Sequence, residues 1–144
     1  MKKFKFTFPL ILALCISLNL LSKRVNLRLT NKTNDPIQLI ITDGMNKKLT
    51  FQLDGQSKPL RNFQIQPISC SEAGWFADPV CIKNITGSIN KDGKTQKVLI
   101  RGPIIEDLNS RINYIKDKGT LHLNIDHRAV VSEIYFTTPS DDNE

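Results

Sequence analysis

Beyond residue 24, apolar and polar side chains alternate in a series of short segments, each of which ends at residues that favour turns. The segments are Val25 to Leu29, Ile37 to Ile41, Leu49 to Leu53, Leu60 to Ile68, Val80 to Ile85, Ser88 to Asn90, Lys97 to Arg101, Leu121 to Ile125 and Val130 to Thr137. A period of two is typical of strands that bury one face. About eight or nine short strands predict an all-β domain. We expect an antiparallel β-sandwich, Ig-like or jelly-roll-like, with at most one short helix; the alternative is a small closed β-barrel.

Two local patterns refine the predicted strand arrangement. Asp43-Gly44 separates the second segment from the third, which is typical of a hairpin whose loop is slightly longer than two residues. Together with the segment that begins at Val25, these segments predict a three-stranded meander. Pro67 interrupts the fourth segment, and a proline within a strand indicates an edge strand or a strand end.

The stretch over residues 103–115 carries two conflicting patterns. The residues with helical spacing are Ile105, Leu108, Ile112 and Ile115. They follow Pro103, a residue suited to the first turn of a helix. Residues 111–116, however, also have the composition of a strand. We expect a short helical turn over residues 104–109 followed by a hairpin.

The first 22 residues have the layout of a secretory signal. Lys2, Lys3 and Lys5 form a basic start, residues 8–21 are almost wholly apolar, and charge resumes at Lys23. The apolar stretch of about fourteen residues is shorter than the roughly twenty that a membrane-spanning helix needs. We predict a cleavable signal over residues 1–22, contact with the membrane only during export, and a secreted or periplasmic protein. The abundance of Lys, Asn and Ile favours a bacterial source.

The predicted cleavage position is open between residues 17 and 24. Cys15 and Ser17 meet the small-residue rule, whereas later sites meet it only in part. A lipid-modified Cys15 is an alternative, because residues 12–15 loosely resemble the bacterial lipoprotein box. Leu14 stands where that box has a small residue, which disfavours this alternative.

Removal of the predicted signal lowers the net charge. The whole chain has 20 Lys and Arg against 14 Asp and Glu, a formal net charge of +6. Without the three lysines of the signal, 17 remain against 14, a net charge of about +3. These basic residues are scattered among acids, which gives nucleic-acid binding little support. Residues 23–138 are predicted to form a single β domain, and residues 139–144 an acidic, disordered tail.

The cysteines predict one disulfide bond. Cys15 leaves with the signal, so Cys70 and Cys81 remain as a pair in an oxidising compartment. A bond across so short a loop removes roughly 2–3 kcal/mol of unfolded-chain entropy.

The loop between these cysteines is the most distinctive local feature. It contains Trp75, the only tryptophan of the chain, next to Phe76. A cross-linked loop loses less entropy on binding, and tryptophan is a preferred anchor in protein interfaces. We predict Trp75, Phe76 and Asp78 as contact residues. The competing interpretation, favoured by how often large aromatic side chains are buried, is that both rings cap one end of the sandwich.

Catalytic and metal-binding patterns are weak. His122 and His127 lie five residues apart, so on one strand they face opposite sides and are poorly placed to share a metal. A glycosidase needs two carboxylates held close together in a cleft, and nothing in the sequence places Glu106, Asp107 or Asp78 in such a pair. We interpret these residues as ordinary surface charges. The Asp-Gly pairs lack the acidic spacing of a calcium loop and are expected to be turns. The two Asn-x-Thr sequons, at Asn31 and Asn84, are relevant only in a eukaryotic secretory pathway.

The sequence therefore predicts a non-enzymatic extracytoplasmic binding module without cofactor or metal. Its partner is expected to be a protein or a surface ligand of unidentified chemistry, contacted through the loop from Cys70 to Cys81. Two alternatives belong to other classes. One is a secreted hydrolase with a distributed catalytic site, for example at His127. The other is an assembly protein that recruits a partner by strand addition at an edge near Pro67.

Overall fold

A computed structural model of the chain describes residues 22–72, 77–100, 102–128 and 133–137. The strands are β1 (Arg24–Asn31), β2 (Ile37–Asp43), β3 (Lys48–Leu53), β4 (Phe63–Ser69), β5 (Ile82–Lys91), β6 (Lys94–Val98), β7 (Thr120–Arg128) and β8 (Glu133–Thr137). The helix α1 (Gly102–Asn113) lies between β6 and β7. Residues 1–21 of the predicted signal over residues 1–22, and the predicted tail over residues 139–144, lie outside the described residues.

The strands form two four-stranded sheets, which confirms the all-β sandwich and not the closed barrel. The first sheet has the order β4-β1-β7-β8 and the second the order β3-β2-β5-β6. All described strand pairs are antiparallel except β1 with β7, which is parallel. The predicted meander is wrong, because β1 belongs to the first sheet and the β2–β3 hairpin to the second.

Asn31 holds a compact turn at the point where the chain changes sheets after β1. Asn31 is completely buried, and its Nδ2 donates to the carbonyl oxygens of Asp35 at 2.8 Å and Asp54 at 3.0 Å. Its Oδ1 accepts from the backbone N–H and the hydroxyl of Thr33. All the hydrogen-bonding capacity of the amide group is therefore used in folding, and this sequon is a structural motif of the domain.

The alternating side chains of both sheets meet in one core. Its central members are Val25, Leu27, Leu29, Ile37, Leu39, Ile41, Leu49, Phe51, Leu53, Ile85, Ile89, Leu121, Leu123 and Ile125, all buried. Gly87 is a small residue in this layer because a Cβ there would lie 2.6 Å from Leu39 and 2.8 Å from Val98. The period of two thus identified the buried faces of β1, β2, β3 and β7. On β4 it did not, because the alternating Phe63 and Ile65 lie on the outer face, where Ile65 is 51% exposed.

A tight turn displaces one strand from its predicted position. Asp92 and Gly93 have positive φ values of 52° and 76°, the backbone shape of a two-residue hairpin turn. Lys91 therefore pairs directly with Lys94, and β6 begins there. The strand predicted over residues 97–101 overlaps β6 only at its first two residues.

The helix α1 is longer than the predicted helical turn, and the predicted hairpin after it is wrong. Leu108 and Ile112 are fully buried, and Ile105 and Ile115 pack against the same core. A continuous helix places Ile105, Leu108 and Ile112 on one face, and Ile115 follows just beyond the end of the helix. Lys23 stabilises its end, because its Nζ donates to the last carbonyl oxygens of the helix, those of Ile112 at 2.8 Å and Asn113 at 3.1 Å.

Pro67 lies on the edge strand β4, as predicted. The side chains of this strand reach the neighbouring edge strand β3 of the other sheet. Gln64 accepts a hydrogen bond from the backbone N–H of Gln52 at 3.1 Å, and Gln66 donates to the carbonyl oxygen of Thr50 at 2.7 Å. These glutamine side chains and the missing N–H of the proline make this edge a poor template for strand addition.

Candidate functional site

The disulfide bond between Cys70 and Cys81 closes the base of the candidate loop, as predicted from the sequence. Both cysteines are completely buried. Next to the bond, the Ser71 N–H donates to the carbonyl oxygen of Val80 at 2.8 Å, and the Val80 N–H donates to the Ser71 Oγ at 3.0 Å. The two arms of the loop are thus joined covalently and by two hydrogen bonds.

The β2–β3 turn fixes the same loop base to the second sheet. The Gly44 N–H donates to the carbonyl oxygens of Ser69 at 2.9 Å and Cys81 at 3.0 Å. A Cβ at Gly44 would collide with the backbone of Ser71 and Val80, so the close approach requires glycine. The Asp43-Gly44 turn is therefore also a contact between the sheet and the loop.

The buried carboxylate of Asp43 completes this contact. Its Oδ2 accepts a hydrogen bond from the Ser69 N–H at 3.1 Å, and its Oδ1 accepts from the N–H groups of Met45 and Lys47, both at 2.9 Å. A single side chain therefore orients the β2–β3 turn and the end of β4 together.

Asn109 joins the helix to the other arm of the loop. Its Oδ1 accepts hydrogen bonds from the N–H groups of Cys81 at 2.8 Å and Ile82 at 2.9 Å. Its Nδ2 donates to the carbonyl oxygens of Ile82 at 2.8 Å and Ile105 at 3.1 Å. The loop base is thus held from three sides: by the disulfide bond, by the β2–β3 turn and by α1.

An open cleft of about 560 Å³ lies between this loop and the helix. It is lined by Asp78, Pro79 and Val80 from the loop and by Glu106, Asn109, Ser110, Asn113 and Tyr114 from α1 and its end. Tyr114 is 88% exposed, and Val80 is 39% exposed. The Asn109 amide is used within the fold, so the cleft offers the carboxylates of Asp78 and Glu106, the Asn113 amide, and the hydroxyls of Ser110 and Tyr114. Together with the phenol ring, these groups suit hydrogen bonding and stacking with a polar ligand.

The predicted contact residues are only partly located. Asp78 is exposed and lines the cleft. Trp75 and Phe76 lie outside the described residues. Sequence reasoning missed Gly44 and Asn109, because their roles depend on contacts between elements far apart in the chain. The Asp43-Gly44 pair predicted a turn at this position, but it did not indicate the contact of Gly44 with the loop.

The histidines do not combine into a site. Both lie on β7, where His122 is exposed and His127 is half-buried on the opposite face, as the spacing predicted. The described residues contain no group of three or more His, Cys, Asp or Glu side chains that could hold a metal ion. Asp107 forms an ion pair with Arg111 at 2.9 Å along the helix surface.

The chain matches no protein-family model, no curated protein and no solved structure. Among the described residues, no helix combines the length and apolarity needed to cross a bilayer. The functional conclusion therefore rests on the geometry of this chain.

Proposed function

We propose that this protein is an exported, extracytoplasmic binding module. Its ligand contact is the loop from Cys70 to Cys81 together with the cleft between this loop and α1. The supporting observation is the difference between the base of the loop, which is fixed from three sides, and the exposed side chains of Asp78 and Val80 above it. A loop held in place before binding loses less conformational entropy when a ligand docks.

Export is supported by the disulfide bond and by the first 22 residues. Disulfide bonds persist in oxidising compartments and are rare in the cytosol. The basic start and the apolar stretch that follows have the layout of a cleavable signal. Secretion or release into a bacterial periplasm would place the loop where it meets ligands outside the cytoplasm.

The fluorescence of Trp75 tests whether the loop is available for contact. It is the only tryptophan, so selective excitation reports on this loop alone. We expect red-shifted emission and efficient quenching by acrylamide. Under the same hypothesis, W75A/F76A leaves the free energy of unfolding within about 0.5 kcal/mol of the wild type, as for other surface changes. Blue-shifted emission, or a loss of several kcal/mol, would identify a core cap and refute the proposal. F51A, in the core, is the positive control, with a loss of about 3–5 kcal/mol.

Site-specific crosslinking tests the binding itself. A photo-reactive amino acid is placed at Asp78, and in a second variant at Leu60, which is 90% exposed and lies beyond the opposite end of β4. Both variants are exported from the cells that make the protein. We expect a discrete adduct from position 78 and none from position 60. Equal adducts from both positions, or none from either, would contradict a contact at the loop.

A further inference from the structure

The outer face of the first sheet carries an arginine, Arg28, that has no acidic residue at the neighbouring positions of the described strands. Arg28 lies in the middle of β1, an interior strand, and its Cζ lies 4.5 Å from the centroid of the Phe63 ring. Among the described residues, this ring is the contact of the guanidinium group. Phe63 lies on β4, in the position diagonal to Arg28, where long and aromatic side chains can touch.

The register defines what surrounds this arginine. Ile65 of β4 and His122 of β7 lie directly beside it, and Asn26 and Thr30 are its same-face neighbours along β1. The remaining diagonal positions belong to Pro67, Thr120 and Asn124. None of these neighbours is acidic. The first carboxyl group on this face of β7 belongs to Asp126, four residues beyond His122.

Arg28 is half-buried, and stacking on a ring occupies only the face of a guanidinium group. Its N–H groups form a planar fork that pairs with a carboxylate through two parallel hydrogen bonds. Beside this fork, Ile65 is 51% exposed and Pro67 is also exposed. A cation next to exposed apolar side chains complements an acidic residue that has an apolar neighbour. Arginine and aromatic residues are also the types that dominate binding energy in protein interfaces.

The outer face of the second sheet has a different character. Its central positions are the neutral residues Gln38, Ile40, Thr42, Thr86 and Ser88. Lys97 on the edge strand β6 is an exposed cation of that face, and it pairs with Ser88. The central cation with an aromatic partner therefore distinguishes the first sheet.

We propose that the outer face of the first sheet binds an acidic segment of a protein partner. A carboxylate of the segment pairs with Arg28, and an adjacent apolar side chain packs on Ile65. This contact goes beyond the proposed function, because it uses a sheet face and no residue of the loop from Cys70 to Cys81. The two surfaces give the domain two independent contacts.

Peptide titration followed by NMR tests this contact. The probes are N-acetyl-Leu-Glu-Leu-Glu-amide and the matched N-acetyl-Leu-Gln-Leu-Gln-amide, which lacks any carboxylate, added to ¹⁵N-labelled protein that begins at residue 23. We expect the glutamate peptide to shift the amide signals of Arg28, Ile65 and His122, and the glutamine peptide to leave them in place. R28Q should weaken binding about tenfold or more, because a charge-assisted bidentate pair is lost. R28K should bind with intermediate affinity, because it keeps the charge but lacks the planar fork.

The matched control is K97Q, which removes one charge from the outer face of the other sheet and should leave the affinity unchanged. Equal binding of both peptides, or unchanged binding by folded R28Q, would overturn the proposal.

Shifts of the same signals by inorganic phosphate at equal concentration would also overturn it, in favour of a general anion site. A several-fold gain in peptide affinity after removal of residues 139–144 would overturn it in favour of this chain's own acidic end as the occupant. Failure of any of these tests would leave the Trp75 and crosslinking results unaffected, because they report on another surface.

Discussion

Replacement of Asn31 by aspartate removes two buried hydrogen-bond donors and changes almost nothing else in size or shape. The amide nitrogen of Asn31 donates to the carbonyl oxygens of Asp35 and Asp54, and the side chain is completely buried. In N31D a carboxylate oxygen would face these two carbonyl oxygens. The bonds from Thr33 to the other oxygen would remain available. The substitution therefore isolates the contribution of the two donors.

The expected loss of stability follows from the carbonyl group of Asp54, which loses the Asn31 donor, whereas the carbonyl group of Asp35 keeps the Thr33 hydroxyl at 3.0 Å as a donor. A polar group shielded from water and left without a hydrogen bond costs about 1–3 kcal/mol, which is the cost expected from the Asp54 carbonyl group. The buried negative charge adds to this cost. Small domains have total stabilities of about 5–15 kcal/mol, so N31D should lose a large part of the stability. The loss should shrink at acidic pH, where the introduced carboxyl group is protonated and regains one donor.

Urea denaturation followed by circular dichroism measures this loss. The matched control is N84D, the same substitution in the other Asn-x-Thr sequon, where the side chain is exposed on β5. We expect N84D to change the free energy of unfolding by less than about 0.5 kcal/mol. If N31D unfolds at the same urea concentration as the wild type, the turn does not depend on the Asn31 donors and the structural role assigned to this sequon is wrong.

Two further substitutions test the fixed base of the loop. D43N should lose about 1–3 kcal/mol in the same assay. Its amide nitrogen would face either the N–H of Ser69 or the N–H groups of the turn, and both need an acceptor. If D43N is as stable as the wild type, the Asp43 carboxylate does not stabilise the contact between the turn and the loop. C70A/C81A should lose about 3 kcal/mol, the entropy of a closed loop of about 12 residues. Reduction of the wild type should reproduce this loss, and an unchanged unfolding midpoint in both cases would show that the bond contributes no stability.

Local pattern predicted much of the fold because it depends on neighbours in the chain. The alternation in Val25 to Leu29 and Leu121 to Ile125 identified strands and their buried faces before any partner was known. Pro67 identified an edge strand because proline lacks the N–H that an interior strand needs. The pairing of Cys70 with Cys81 followed from their being the only two cysteines after the signal.

Other features depended on contacts that local pattern does not encode. The placement of β1 in one sheet and β2 in the other is associated with hydrogen bonds from Asn31 to carbonyl groups in two different loops. The full length of α1 depended on the burial of Leu108 and Ile112 against the sandwich, since the local pattern fitted helix and strand alike.

The sequence alone determined the class of the domain, its predicted route of export and the loop that deserves experiments. The tertiary structure decided what holds that loop, because Gly44 and Asn109 reach its base from elements that are distant in sequence. It also brought Arg28 beside Ile65 and His122, three residues on three strands. Such constellations form only when backbone pairing fixes the register, and pairing is a property of the folded chain.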